Sequence, residues 1–160
     1  MSPARRRPAL KETAADFALR NQHGETVETE QLRGAPSVLM FYPFAFSQVC
    51  GSELTEIQAR WADLAHMGVR LCAISCDSVH TLRAYAERLG EIRFDLLSDF
   101  WPHGAVAQAF GAFDVQKGCP TRETFVLDAQ LRVRRTVSAE FTQSRDFTEV
   151  LDALRAIRRD

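Results

Sequence analysis

The chain has 160 residues, 46% of them hydrophobic, and Lys+Arg 20 stands against Asp+Glu 21 for a formal net charge of −1. That length suits one domain and the apolar content can build a core, which excludes a disordered chain. The charge balance excludes a general electrostatic pull toward nucleic acid or an anionic membrane.

Residues 1–12 read as a flexible basic tail, and 13–160 as a single domain. The run Arg5-Arg6-Arg7 is expected to be solvated, since no aromatic side chain accompanies it to stack on a base. Pro8-Ala9-Leu10 meets Lys11-Glu12 at once, so the apolar stretch of about 7–15 residues of a secretory signal does not follow the charges. Nor is there a run of about 18 apolar residues to cross a bilayer. The expected location is the cytoplasm.

Along the chain, Phe17 to Leu32 carries turn signals at Asn21 and Gly24 and predicts a β-hairpin. Ser37 to Tyr42 is a continuous apolar run bounded by Pro43, the pattern of a strand buried on both faces. Cys50, Leu54, Ile57, Trp61 and Leu64 then recur at steps of four, three, four and three, one face of an amphipathic helix ending near Gly68. Val69 to Ile74 is a second buried strand, and Val79, Leu82, Ala86 and Leu89 stripe a helix that stops at Gly90. Phe94 to Leu97 is a third strand, followed by a helix through Ala105 to Phe110 that Gly111 ends. Thr124–Leu127 and Leu131–Val137 flank Asp128-Ala129-Gln130 as a second hairpin, and Phe147 to Ile157 stripes a last helix. This alternation predicts an α/β protein: a central mixed sheet flanked by helices, in an enlarged thioredoxin-like arrangement with an N-terminal hairpin extension.

Four cysteines, Cys50, Cys72, Cys76 and Cys119, read as thiols in a cytoplasmic chain. No Cys-x-x-Cys pair exists, and the histidines do not fall at ligand spacings, so no metal site is expected. Cys50 is set apart by its place. The segment Tyr42 to Cys50 leaves the carboxyl end of the first buried strand and enters a helix, where open α/β sheets carry their reactive groups. Unpartnered N–H groups and aligned peptide dipoles in a first helical turn favour thiolate over thiol. Position alone leaves two readings: an armed nucleophile, or a small hydrophobe filling the core. Ser47, three residues earlier, offers a hydroxyl to an oxygen gaining negative charge, or simply caps the helix. Pro43 could stiffen the loop and shield the sulfur, or only end the strand. Arg122, opening a strand expected to lie near Cys50, is the candidate positive charge; by itself it reads as an ordinary surface arginine.

Pro43-x-x-x-Ser47-x-x-Cys50 resembles the Pro-x-x-x-Thr/Ser-x-x-Cys motif of the peroxiredoxins, and Gly118-x-x-x-Arg122-x-x-Phe125-Val126-x-Asp128 resembles the family's arginine-bearing stretch. Phe44-Ala45-Phe46, Cys50-x-x-Glu53-Leu54 and Ser98 through Val106 are similar to the AhpE group of one-cysteine peroxiredoxins. The resemblance implies a thioredoxin-like fold and a peroxidatic Cys50 ringed by Pro43, Ser47 and Arg122. It also implies a cycle from thiolate to sulfenic acid, with no flavin, haem or metal. It implies an external reductant, mycoredoxin with mycothiol or thioredoxin, and a homodimer. Ser47 departs from the commoner threonine, and Thr55 stands where a related group has a resolving cysteine. Cys72 is expected to be core packing. Cys76 and Cys119 are candidate resolving thiols. Glu53 is expected either to organise hydrogen bonds beneath Cys50 or to be a first-turn helix acid, and Trp101 and His103 to line a subunit contact or lie free at the surface. Two other readings keep the same scaffold: a disulfide oxidoreductase, which would want a cysteine where Glu53 stands, and a redox-sensing or chaperone-like binding protein.

Overall fold

The computed structural model describes residues 6–90 and 92–159, the side chains of Cys50 and Arg159 excepted. A hairpin of β1 (Ala18–Arg20) and β2 (Thr26–Glu28) comes first, followed by a 3₁₀ turn (Thr29–Leu32) and β3 (Ser37–Phe41). Then come α1 (Gln48–Ala59), α2 (Trp61–His66), β4 (Arg70–Ser75), α3 (Val79–Leu89), β5 (Asp95–Ser98) and α4 (Ala105–Ala109). A two-stranded ribbon of β6 (Phe113–Asp114) and β7 (Cys119–Pro120) leads into β8 (Arg122–Leu127), β9 (Val133–Ala139) and α5 (Phe147–Arg159).

The main sheet has seven strands in the order β2-β1-β5-β4-β3-β8-β9. β3, β4 and β5 run parallel, and β8 lies antiparallel to β3, with Leu39 opposite Phe125. Every residue of β3 is buried, as its unbroken apolar run requires of a central strand. Alternate residues feed two cores. Val38 and Met40 join Leu54 and Ile57 of α1, Leu82 of α3 and Val150 and Leu154 of α5. Leu39 and Phe41 join Cys72, Ile74, Phe125 and Phe110 on the other face, beneath α4. Phe147, Val150, Leu151 and Leu154 recur at the spacing of one helical face, and each buried side chain stabilises the fold by about 2 kcal/mol.

Two readings need correction. The single helix expected from Cys50 to Leu64 is interrupted at Arg60, whose N–H is shared between the carbonyls of Glu56 and Ile57. The apolar spacing runs straight through this kink, because Leu54, Ile57 and Leu64 face the same core on either side of it. Beyond the kink, Trp61 lies against Phe94 with ring centroids 5.7 Å apart. The ribbon of β6 and β7 was not foreseen, since two residues per strand leave no periodicity to detect. Near the start of the described chain, Lys11 N–H donates to Val133 O at 2.7 Å and Thr13 bridges Arg132, so this segment runs beside β9.

Candidate active site

The parallel strands end together, and three connections leave from that edge: Pro43–Ser47 after β3, Cys76–Ser78 after β4 and Asp99–Gly104 after β5. Pro43 has no N–H with which to extend the ladder. The chain turns there through Phe46, a non-glycine residue at φ +67. Asp77 ties the first two connections together, its Oδ2 accepting the Ala45 N–H at 2.8 Å.

Ser47 lies at the N-cap of α1: its carbonyl accepts the first helical bond, from Gly51 N–H at 3.0 Å. Cys50 is the third residue of α1, within the turn whose N–H groups have no partner inside the helix. Its side chain, and with it the expected inward orientation of the sulfur, lies outside the described residues.

One turn after Cys50, Glu53 draws two arginines onto α1. Arg122, at the head of β8 and 69 residues further on, donates through Nη1 to Glu53 Oε1 and through Nε to Phe141 O at 2.8 Å. Arg145, from the loop before α5, donates through Nε to Glu53 Oε2 at 2.6 Å and through Nη2 to Oε1 at 3.4 Å. Its Nη1 reaches Phe41 O at 2.5 Å and Thr124 Oγ1 at 3.1 Å. Glu53, Arg122 and Arg145 are only 5%, 2% and 6% exposed. Buried ions persist where partners satisfy them, and here two guanidiniums share one carboxylate. The surplus positive charge lies beneath the first turn of α1, where it favours an anion.

Arg122 and Glu53 therefore meet beside the helix start that holds Cys50 and Ser47. Arg145 was missed: it stands in the stretch Glu140 to Asp146, which carries no periodicity and no motif. A buried carboxylate already known to hold one arginine would have been the only signal to look for another.

The remaining thiols lie in different surroundings. Cys72 is fully buried in β4, and burial followed by the nearby Asp95 pushes its thiol up to about 12. Cys76 is also pushed up to about 12, by burial first and then by Asp99, Asp77 and Cys119; the Gly104 N–H opposes them. Cys119 is fully buried in β7. Asp99 caps α4, accepting from Val106 and Ala107 N–H at 3.1 and 2.8 Å, and burial raises its carboxyl to about 6. His103 Nε2 donates to Gly118 O at 2.6 Å, while Trp101 is 82% exposed beside the exposed Phe100. Phe44 and Phe46, on the Pro43–Ser47 connection, are exposed as well. A cleft of about 730 Å³ opens between α1 and α3, lined among others by Phe46, Ser47, Gly51, Tyr85 and Arg88.

Comparison with known proteins bears on this geometry. Residues 10–136 match the AhpC/TSA family. Alkyl hydroperoxide reductase E of Mycobacterium tuberculosis is 38% identical over 146 residues, covering 91% of this chain and 95% of that protein. The crystal structure of Enterococcus faecalis AhpC superposes with a TM-score of 0.87 at 26% identity, covering 95% of this chain and 93% of that one. Peroxidoxin BcpB of Mycobacterium tuberculosis superposes with a TM-score of 0.82 at 30% identity, covering 94% and 99%. The thioredoxin-like fold expected from the order of strands and helices is the fold of these neighbours.

Proposed function

The chain belongs to the AhpC/TSA family of peroxiredoxins, which makes it a thiol-dependent peroxidase, and within that class we propose that Cys50 is the peroxidatic nucleophile. The observation that carries this reading is Arg122, brought from β8 to Glu53 one turn after Cys50. The Cys50 thiolate attacks the terminal oxygen of a hydroperoxide, the O–O bond breaks, and the leaving oxygen takes a proton to depart as water or an alcohol. Sulfur loses two electrons and becomes a sulfenic acid. Arg122 stabilises the thiolate and then the oxygen on which charge develops, aided by the N–H groups of the first turn. The Ser47 hydroxyl donates to the peroxide, and Pro43 shields the sulfur from water.

An external thiol then condenses with the sulfenic acid, releasing water and leaving a mixed disulfide that a second thiol reduces. Mycoredoxin with mycothiol, or thioredoxin, is the proposed reductant, acting in the cytoplasm; among the described residues no helix is long and apolar enough to cross a membrane. Cys76 and Cys119 are the proposed internal alternatives for resolving the sulfenate. Both are buried, so the chain around them has to open first. Phe44, Phe46, Phe100 and Trp101 put exposed aromatic surface beside the site, which supports a homodimer of the domain formed by residues 13–160.

Stopped-flow oxidation by hydrogen peroxide followed by mass spectrometry tests the reading. Cys50→Ser is expected to abolish rapid oxidation, and wild-type protein to carry a sulfenate or a mixed disulfide on Cys50. Rapid peroxide consumption persisting in Cys50→Ser would falsify it.

A further inference from the structure

Two contacts of the Arg122 guanidinium differ in kind. Nη1 meets Glu53, itself fixed by the buried Arg145. Nε meets the carbonyl of Phe141, in the loop between β9 and α5 where no ladder or helix fixes the backbone. A turn spans Phe141, Gln143 N–H donating to Glu140 O at 3.1 Å, and its ring adds a further tie: the Lys117 ammonium lies 3.6 Å from the ring centroid, an approach favoured by the negative face of the ring.

Lys117 is well placed to act as an anchor, because its own backbone is pinned. It sits in the turn joining β6 to β7, where Asp114 Oδ1 accepts the N–H groups of Gln116 and Lys117 at 3.0 and 2.9 Å. Gly118 N–H returns to Asp114 O at 2.8 Å, and Gly118 O takes the bond from His103. The same ribbon feeds directly into β8, whose first residue is Arg122. An exposed lysine and the arginine of the site are thus joined through one aromatic residue. A guanidinium is a planar fork, so fixing its Nε edge sets the direction in which its remaining N–H groups point.

We propose that Lys117 is a positioning residue for peroxide reduction: by holding the Phe141 ring it fixes the carbonyl that orients Arg122. The proposal rests on the reading that Arg122 acts at the Cys50 sulfur. Lys117 donates no proton and touches no substrate. Without it, the Phe141 loop moves and the guanidinium turns away from the orientation that serves the thiolate.

The test uses the full chain with Lys117→Met, Phe141→Leu, the double variant, Lys117→Arg and Arg122→Ala. Stopped-flow oxidation gives the rate, and nitrogen-15 NMR gives the solvent exchange of the Arg122 Nε–H. An exposed cation–π contact corresponds to a loss of about two- to fivefold in rate for each single variant. The double variant is expected to be no slower than either single, and Lys117→Arg to retain the wild-type rate, since arginine also stacks on a ring. The Nε–H is expected to exchange faster in both single variants. A slow Lys117→Met beside a normal Phe141→Leu would reveal a long-range charge effect and overturn the proposal, as would losses that multiply in the double variant. Unchanged Nε–H exchange overturns the clamp alone, whereas Arg122→Ala oxidising at the wild-type rate overturns the reading beneath it.

Discussion

Two regions of this molecule set charge near cysteine positions, and they do so with opposite sign. At the start of α1, two arginines share one carboxylate beneath the turn that holds Cys50. Beyond the ends of β4 and β5, Cys76 is enclosed with Asp99 and Asp77, and within those strands Cys72 lies near Asp95. Cys72 and Cys76 are pushed up to about 12, so at neutral pH they hold their protons and are poor nucleophiles. Enclosure alone therefore does not arm a thiol. Burial is the first cause of both shifts and the neighbouring carboxylates add to it, so a buried thiol is armed only where fixed positive charge outweighs the cost of burial.

The comparison breaks most severely at Arg145. Arg145→Met keeps much of the volume and removes one of the two guanidiniums, leaving Glu53 and Arg122 as a neutral pair. Removing one partner from a buried ionic network costs about 3–5 kcal/mol, so the folding midpoint in urea is expected to fall accordingly. With the surplus positive charge gone, the Cys50 thiol is expected to become less acidic and peroxide oxidation at neutral pH to slow. An unchanged Cys50 titration in a folded Arg145→Met protein would show that the surplus guanidinium does not act on this sulfur.

The opposite region is probed at Asp99. Folded, its carboxyl titrates at about 6 against 3.8 for an unperturbed aspartate, mainly because it is buried. Between about pH 4 and 6 the folded chain retains a proton that the unfolded chain has released. The stability due to this group is full below about pH 4 and is lost as pH rises through 6, by about 3 kcal/mol at most. Asp99→Asn does not titrate, so its unfolding free energy is expected to lack that fall while wild type shows it. The same substitution removes a carboxylate from beside Cys76 and is expected to bring that thiol down from about 12. Parallel stability curves for the two proteins across pH 4 to 6 would remove Asp99 from the account.

How much of this was legible in the residues follows from what leaves a local pattern. β3, with the four consecutive apolar residues Val38 to Phe41, and α5, with its stripe from Phe147 to Leu154, were readable because burial imposes a pattern on the sequence. Arg122 and Glu53 stood out through spacing to motif residues, yet their contact joins positions 69 apart and needs the β3–β8 pairing to form. Arg145 and Phe141 left no trace, because one acts from an aperiodic loop and the other through a backbone carbonyl that any residue could supply. The break at Arg60 was equally silent, since the apolar spacing continues unaltered across it.

The mildest perturbation falls on Cys72, and it separates packing from chemistry. Its side chain is fully buried in β4 between Leu39 on β3 and Asp95 on β5, and the half-buried Arg70 only partly offsets the burial and the carboxylate that disfavour its anion. Cys72→Ala deletes a single buried heavy atom, so it is expected to cost about 1 kcal/mol in chemical denaturation, the scale of a one-methyl core deletion. The oxidation rate at Cys50 is expected to stay at the wild-type value, because a thiol at about 12 contributes almost no thiolate at neutral pH. If Cys72→Ala slowed oxidation while its stability loss stayed near 1 kcal/mol, this core sulfur would belong to the reaction, and fixed charge could not be what tells a working cysteine from a structural one.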